Sequence, residues 1–179
     1  CDDADLEEAA ETVILSAFSN AGQRCASGSR IIVFKEIYDE FRDMLIERTG
    51  KLKMGPRDDD DFGPVINAKQ LAKMVAAVEE ARKAGAKILT GGKRLTDEEH
   101  ESGFYMGPTL IEDARPSDAI SRDELFGPIT CLYRVKDFNE AVEFANDSPF
   151  GLTAAIHTKN MHRAMTFMNE VKAGVISIN

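Results

Sequence analysis

The chain has 179 residues, of which 43% are hydrophobic and 30% charged, and its formal net charge is −9 at pH 7. That balance is typical of a globular domain whose core is large enough to need no disulfide or metal support. The acidic charge disfavours nucleic-acid binding, and no apolar run reaches the roughly 18 residues that a membrane helix needs.

The first third of the chain predicts a helix, a strand and a second helix. The first helix follows an N-cap at Asp3 or Asp5, carries acidic residues in its first turn and ends before Gly22. Residues 30–34 are typical of a short buried strand, and residues 36–53 of an amphipathic helix. The apolar positions at helical spacing are Leu6, Ala10, Val13, Ile14 and Ala17 in the first helix and Ile37, Phe41, Met44 and Leu45 in the second.

The middle of the chain alternates loops with one long helix and one strand. Residues 54–64, "MGPRDDDDFGP", predict an acidic surface loop whose four aspartates form a solvent-facing tip rather than a metal cage. A helix is predicted over residues 67–86, closed by Gly85, and a strand with a glycine turn over residues 87–92. Residues 93–107 are again typical of a loop.

The last third predicts strands at residues 108–114, 129–135, 152–158 and 175–179, with helices at residues 138–148 and 160–174. Met161, Met165 and Met168 recur at helical spacing, so we expect them to be ordinary core residues. Apolar strands that alternate with amphipathic helices predict an α/β fold: a single three-layer domain with a largely parallel sheet.

The cysteines indicate a reducing compartment. Cys1, Cys25 and Cys131 are odd in number and far apart, with no CxxC pair and no neighbouring pair of histidines. This spacing argues against a disulfide framework and against a structural zinc site. We therefore expect a cytoplasmic protein in which one of the three is a working thiol.

Cys25 stands among small residues. Gly22, Ala26, Ser27 and Gly28 surround it, directly after the predicted end of the first helix. Small side chains leave backbone N–H groups uncovered, so a carbonyl carbon could approach the sulfur while those groups stabilise an oxyanion. Composition alone favours the plainer interpretation, because free cysteines are usually buried small hydrophobes.

Motifs along the whole chain occur in a recognisable order. Phe18, Asn20, Gly22, Gln23 and Cys25 form the pattern FxNxGQxC, with "DDADLEEA" before it. "FGPVINAKQLAKMVAAVEEARKAGAKILTGG", "GFYMGPTLI", "RDELFGPI", "ANDSPFGLTAAIHTKNMHRAM" and "KAGVISIN" follow. Together they resemble the catalytic domain of the NAD(P)-dependent aldehyde dehydrogenase superfamily, and the resemblance covers essentially the full length of the chain.

The resemblance implies oxidation of a small-molecule aldehyde to a carboxylic acid. Cys25 would add to the aldehyde as a thiolate and form a tetrahedral thiohemiacetal. Hydride transfer to NAD or NADP would leave a thioester, which water activated by a base would hydrolyse. A thiol suits this sequence because sulfur is a strong nucleophile and its acyl ester hydrolyses readily.

The same resemblance implies a set of cofactor-binding residues. Glu124 and Phe126 in "RDELFGPI" match residues that contact the nicotinamide-side ribose, and Gln70 and Lys73 match residues that reach the adenosine ribose. Asn20 is expected to support the cysteine segment. Without the resemblance, Glu124 would be read as a loop carboxylate, and Gln70 with Lys73 as an exposed helix face.

Some residues depart from the family pattern or match no family role. Ser27 stands where the family usually has alanine, glycine, cysteine or asparagine; serine is similarly small, so we expect the loop geometry to be kept. His100, His157 and His162 match no family base and are expected at the surface or at strand ends. Cys131 lies in an apolar strand and is expected in the core.

Parts that the family needs are expected outside residues 1–179. These are the general-base glutamate in a Glu-Leu-Gly-Gly segment, the dinucleotide-binding domain and the oligomerising segments. The chain would then be the catalytic domain of a longer protein that forms a homodimer or homotetramer. Alone, we expect it to show no appreciable dehydrogenase turnover.

Two alternatives remain open from the sequence. A cysteine hydrolase or thioesterase would activate Cys25 with His157 or His162, but neither histidine lies in a recognisable triad segment. An isolated, non-catalytic folding or interaction module would expose the apolar edges of its sheet to a partner.

Overall fold

The computed structural model describes all 179 residues, and every predicted helix and strand is present. The helices are α1 (Leu6–Phe18), α2 (Tyr38–Gly50), α3 (Ala68–Lys83), α4 (Ala119–Arg122), α5 (Phe138–Asn146) and α6 (Met161–Glu170). The strands are β1 (Arg30–Phe34), β2 (Lys87–Thr90), β3 (Thr109–Glu112), β4 (Ile129–Val135), β5 (Thr153–Ile156) and β6 (Val175–Ile178). Sequence reasoning missed the short α4 and a 3-10 turn at Ser19–Gly22. None of the helices is long and apolar enough to cross a membrane.

Polar side chains begin four of the helices. Asp5, rather than Asp3, caps α1, because its Oδ1 accepts hydrogen bonds from the backbone N–H groups of Glu7 and Glu8 at 3.2 Å. Such a cap satisfies backbone donors that the helix itself leaves free. The other capping residues are Asn67 for α3, Asp137 for α5 and Asn160 for α6.

The main sheet has four strands in the order β1–β4–β3–β2. β1, β4 and β3 are parallel to one another, whereas β2 runs antiparallel to β3. A second sheet pairs β5 with β6 in parallel. The predicted α/β fold with a largely parallel sheet is therefore confirmed.

Both faces of the main sheet are covered, as three layers require. The consecutive residues Cys131, Leu132 and Tyr133 of β4 are 1%, 1% and 5% exposed, and consecutive side chains of a strand point to opposite faces. Residues of α1, α2 and α3 share one core with β1, β3 and β4. From α5, the ring of Phe144 lies 4.5 Å from the ring of Tyr133.

The unit formed by α5, β5, α6 and β6 has a separate and much smaller core. Four buried residues make up this core, against 25 in the main one. So small a cluster leaves much of the unit's apolar surface uncovered. Its members are Val142, Ile156, Phe167 and Val171.

The prediction that the methionines of α6 are core residues is wrong. Met161, Met165 and Met168 are 74%, 48% and 45% exposed. Ala164 and Phe167 occupy the buried face of α6 instead. Helical spacing indicates which residues share a face, but the spacing does not tell which face a neighbour covers.

The acidic segment at residues 54–64 forms a loop, as predicted, although only part of its aspartate run faces solvent. Asp58, Asp59 and Asp61 are exposed, whereas Asp60 is half-buried. Asp60 Oδ2 accepts a hydrogen bond from the backbone N–H of Arg57 at 2.8 Å, and Asp61 Oδ2 accepts one from the N–H of Lys53 at 2.7 Å. The second half of the run therefore satisfies the loop's own backbone, as short carboxylates commonly do in turns.

Candidate active site

Two loops that carry predicted site residues lie at the same end of the main sheet, where its parallel strands begin. Residues 23–29 lead into β1 and residues 123–128 lead into β4. These strands are parallel neighbours, with Arg30 opposite Cys131. Their amino-terminal ends therefore lie at the same end of the sheet, and the two loops lie side by side. Residues 19–29 are called the cysteine loop below, and residues 123–128 the Phe126 loop.

The cysteine loop begins with three consecutive residues in the left-handed backbone region. The φ angle is 55° at Asn20, 54° at Ala21 and 65° at Gly22. Asn20 Nδ2 donates to the carbonyl oxygen of Gln23, and Gln23 Nε2 donates to the carbonyl oxygen of Asn20, both at 3.2 Å. Non-glycine residues persist in this region only where their surroundings hold them. The two reciprocal hydrogen bonds between Asn20 and Gln23 stabilise this left-handed turn, in agreement with the supporting role predicted for Asn20.

Cys25 lies at the exposed tip of the cysteine loop. The backbone N–H of Ser27 donates to the carbonyl oxygen of Arg24 at 3.1 Å and closes a turn around the thiol. The N–H groups of Cys25 and Ala26 have no acceptor within the chain. A thiol beside two free N–H groups can attack a carbonyl carbon while those groups bind the oxyanion that forms.

The two loops touch through their backbones at Gly22 and Gly127. A β-carbon added to Gly22 would lie 2.1 Å from the carbonyl oxygen of Gly127. One added to Gly127 would lie 2.4 Å from Cε of Met74 in α3. Gly22 has no room for a side chain against this backbone oxygen, whereas Gly127 faces the flexible end of the Met74 side chain. The contact between the loops therefore depends on glycine at Gly22.

The Phe126 loop turns two of its side chains outward. Leu125 is buried, whereas Glu124 and Phe126 on either side of it are exposed. Phe126 has a φ of 57°, and so bulky a residue in this region is uncommon and tends to mark functional sites. The Glu124 carboxylate has no partner within the chain, so both side chains are free to contact a ligand.

Helix α3 brings one of its two predicted cofactor residues to these loops. Gln70 Nε2 donates to the carbonyl oxygen of Leu125 at 2.5 Å. Lys73, one helical turn further on, is exposed and has no partner in the chain. One N–H of the Gln70 amide is therefore used within the protein, whereas the ammonium group of Lys73 is free.

Sequence reasoning gave Gln23 no role of its own, although the structure does. Its Oε1 accepts a hydrogen bond from the backbone N–H of Ile66 at 2.8 Å, and its Nε2 lies 3.4 Å from the carbonyl oxygen of Pro64. Gln23 thereby ties the cysteine loop to the segment that leads into α3. The one sequence signal for this role is the place of Gln23 in the pattern FxNxGQxC.

The other two cysteines are poor candidates for the nucleophile. Cys131 is buried in β4, as predicted, and burial raises the pKa of its thiol to about 12. Because the thiolate is the nucleophilic form, Cys131 stays unreactive near neutral pH. Cys1 is half-buried, and its backbone nitrogen lies 3.1 Å from the carbonyl oxygen of His157.

No histidine is hydrogen-bonded to Cys25. His162 is exposed on α6, and His157 directly follows β5, as predicted. Burial lowers the pKa of His157 below its ordinary value. Nothing in this arrangement supplies the histidine partner that a cysteine hydrolase needs.

The prediction of a surface or strand-end position is wrong for His100. This residue is only 8% exposed, because the loop of residues 93–107 folds back onto Met54. The Nδ1 atom lies 2.6 Å from Oδ1 of Asp97, and Nε2 lies 2.7 Å from the carbonyl oxygen of Met54. Burial acts to lower the pKa of His100, but the hydrogen bonds to Met54 and Asp97 outweigh it, so the pKa is raised.

Two surface concavities lie away from Cys25. One of about 320 Å³ lies beside Phe34, Phe138 and Arg163, and one of about 470 Å³ lies between α1 and α2. Charged side chains make up most of both linings. No group of three or more His, Cys, Asp or Glu side chains is placed to hold a metal ion.

Comparison with known proteins places these features in a family. The sequence model of the aldehyde dehydrogenase family matches residues 1–179. The chain is 38% identical to the alpha-ketoglutaric semialdehyde dehydrogenase of Bacillus subtilis, over 99% of this chain and 37% of that protein. It is 39% identical to the mitochondrial aldehyde dehydrogenase of Leishmania tarentolae, over 100% of this chain and 36% of that protein.

Solved structures agree with the sequence comparison. The betaine aldehyde dehydrogenase of Staphylococcus aureus in complex with NAD⁺ superimposes with a TM-score of 0.96 and is 35% identical. The match covers 99% of this chain and 35% of that one. The chain thus spans somewhat more than a third of the length of the curated relatives that it matches.

Proposed function

The chain belongs to the aldehyde dehydrogenase family, and from that membership we propose that it forms the nucleophile-bearing part of an enzyme that oxidises aldehydes to carboxylic acids. The observation that carries the proposal is the exposed Cys25 on a loop whose backbone touches the Phe126 loop. A nucleophile and outward-facing cofactor ligands on adjoining loops can act on the same substrate carbon.

Cys25 begins the reaction by adding to the aldehyde. The sulfur of its thiolate forms a bond to the carbonyl carbon, and the carbonyl π electrons move onto the oxygen. The free N–H groups of Cys25 and Ala26 are the donors in this chain that can hydrogen-bond that oxygen. The product of the step is a tetrahedral thiohemiacetal on Cys25.

The outward-facing residues of the Phe126 loop fit the nicotinamide end of NAD or NADP. The unpartnered Glu124 carboxylate can accept hydrogen bonds from ribose hydroxyls, and the exposed Phe126 ring can pack beside the nicotinamide. Lys73 and the remaining acceptor of Gln70 suit the adenosine ribose. When bound, the cofactor supplies the acceptor for the hydride that leaves the thiohemiacetal carbon. The NAD⁺ in the Staphylococcus aureus enzyme favours NAD.

Release of the acid needs a base that activates water against the thioester on Cys25. No histidine or carboxylate of this chain is hydrogen-bonded to Cys25. We assign this role to a glutamate outside residues 1–179, in a Glu-Leu-Gly-Gly segment. For that reason the isolated chain is expected to lack turnover.

The assembly and the compartment are further parts of the proposal. We propose that residues 1–179 are one catalytic domain of a longer protein that forms a homodimer or homotetramer in the cytoplasm. The partial coverage of the relatives supports the longer protein, and three unpaired cysteines support a reducing compartment. The exposed apolar residues Val175 and Ile178 on β6 support association with further structure.

The full-length protein tests the proposed activity directly. Incubated with a panel of aldehydes and either NAD or NADP, it should form reduced cofactor and carboxylic acid in equal amounts. Thioester and ester substrates, offered without cofactor, provide the hydrolase comparison. Acid formed from esters alone, with no reduction of either cofactor by any aldehyde, would overturn the proposal.

A further inference from the structure

The cysteine loop is tied to the entrance of α3 by one side chain. Gln23 Oε1 accepts from the backbone N–H of Ile66 at 2.8 Å, next to Asn67, the residue that caps α3. Gln23 also donates to the carbonyl oxygen of Asn20 within its own loop at 3.2 Å. A single amide thus joins the turn before Cys25 to the start of the helix.

The Phe126 loop is tied to the first turn of the same helix by another glutamine. Gln70 Nε2 donates at 2.5 Å to the carbonyl oxygen of Leu125, between the exposed Glu124 and Phe126. The backbone N–H of Gln70 in turn donates to Oδ1 of Asn67 at 2.9 Å. The two glutamine contacts are therefore separated by one short, capped stretch of chain.

The contact between Gly22 and Gly127 closes these links into a ring. The ring runs from Gly22 through Gln23 to residues 66–70, then through Gln70 and Leu125 to Gly127, and back to Gly22 across the backbone contact. Each loop is held on one side by a glutamine and on the other side by the opposite loop. Neither loop can shift without disturbing the other or α3.

We propose that Gln23 and Gln70 are positioning residues that use the first turn of α3 as a strut to fix the distance between Cys25 and the Phe126 loop. The proposal rests on the proposed function, because the distance matters only if Cys25 and a ligand on Phe126 act on one carbon. The bond to Leu125 uses one N–H of the Gln70 amide and leaves the second N–H and Oε1 free, so the positioning role is distinct from a ribose contact and compatible with it.

Small displacements of reacting groups are sufficient to explain a catalytic effect. A misplacement of about 1 Å can lower a rate by roughly 10²-fold. The hydrogen bonds of Gln23 to Ile66 and of Gln70 to Leu125 are together called the brace below. Loss of the brace should lower kcat, whereas KM for the aldehyde should change little, because the residues that would touch the substrate are still present.

Hydrogen exchange of the full-length protein, without substrate or cofactor, tests the brace in a way that needs no activity. Gln70→Met keeps the length of the side chain but removes the donor to Leu125. It should speed exchange about fivefold, the equivalent of one ordinary hydrogen bond, in residues 123–128 and also in the cysteine loop, which Gln70 does not touch. The control is Lys69→Gln on the exposed face of α3, which should leave both loops unchanged.

Steady-state kinetics of the same protein supply the second test. Gln23→Met and Gln70→Met should each lower kcat by about 10- to 100-fold, and the double variant should be no slower than the worse single variant within about twofold. Gln23→Glu keeps an oxygen for the N–H of Ile66 and should recover most of the kcat lost in Gln23→Met.

The outcomes separate failure of the brace from failure of the proposed function. A wild-type protein that oxidises no aldehyde refutes the function, while the exchange experiment still decides whether the loops are coupled. Unchanged exchange in the cysteine loop of Gln70→Met overturns the brace, as do kcat losses that multiply in the double variant. An effect of Gln70→Met confined to KM for the cofactor would mean ribose contact alone and would also overturn it.

Discussion

The cysteine loop and helix α6 both carry clear sequence patterns, and the structure treats them in opposite ways. The cysteine loop is held by hydrogen bonds to residues 64–66 and by backbone contact with the Phe126 loop. Helix α6 packs only Ala164 and Phe167 inward and leaves its methionines in solvent. A sequence pattern therefore predicts how a segment packs only when the segment that it contacts can also be recognised in the sequence.

The difference has a physical origin in what each region buries. Glycine is required at Gly22 because a β-carbon there would lie 2.1 Å from the carbonyl oxygen of Gly127. The spacing of Met161 and Met165 requires only that they share a face of the helix, and a shared face can be covered or bare.

The largest effect is expected at the thiol itself. In the full-length protein, Cys25→Ser should lower kcat for aldehyde oxidation by at least about 10³-fold, because serine's hydroxyl is a far weaker nucleophile without an activating base. The control Cys1→Ser changes a half-buried thiol away from the loops and should stay close to wild type. Substantial aldehyde oxidation by Cys25→Ser would contradict the assignment of the nucleophile.

A matched pair of methionines measures the contrast between the two regions. Met74 is fully buried in α3 against Gly127, whereas Met161 is 74% exposed on α6. Met74→Ala should lower the free energy of unfolding by about 2–5 kcal/mol, and Met161→Ala should change it by less than about 0.5 kcal/mol. Urea denaturation measures both. Similar losses for the two variants would show that α6 is covered in solution.

The glycine contact should be nearly as sensitive. Gly22→Ala places a β-carbon where the carbonyl oxygen of Gly127 lies and strains a residue at a φ of 65°. We expect a loss of about 2 kcal/mol in the free energy of unfolding, with a fall in the rate of aldehyde oxidation. Gly50→Ala is the matched control, because a β-carbon there meets nothing within 4 Å. Equal behaviour of the two variants would refute the close contact of the loops.

The buried His100 gives a smaller effect that depends on pH. Both of its ring nitrogens face acceptors, on Asp97 and Met54, so the protonated ring can donate to both. Because its pKa is raised in the folded chain, its stabilising contribution is complete below the unfolded-state pKa of about 6.5 and is lost as the pH rises through the higher folded-state value.

The free energy of unfolding of the wild type, relative to His100→Gln, should accordingly decrease as the pH is raised above about 6.5. Urea denaturation at a series of pH values measures this difference. A His100→Gln difference that grows with pH would contradict the imidazolium pairing.

Most elements of the fold could be predicted because caps, apolar spacing and turn glycines are local signals. Asp5 and Gly85, for example, stand where the helices they delimit begin and end. The burial of His100 and the exposure of Met161 could not be predicted, because both depend on contacts with distant segments. The candidate site could be predicted only in part. The motifs point to Cys25 and Phe126, but the hydrogen bonds of Gln23 and Gln70 join segments that are distant in the sequence, and only the three-dimensional structure shows them.

A rapid chemical quench of the full-length protein during turnover of an aldehyde with NAD, followed by peptide mass spectrometry, decides whether Cys25 carries the acyl intermediate. We expect an acyl group in thioester linkage on the peptide that contains Cys25, and no acyl group in Cys25→Ala. Acylation of any other residue, or aldehyde oxidation without an acylated Cys25 peptide, would contradict the account.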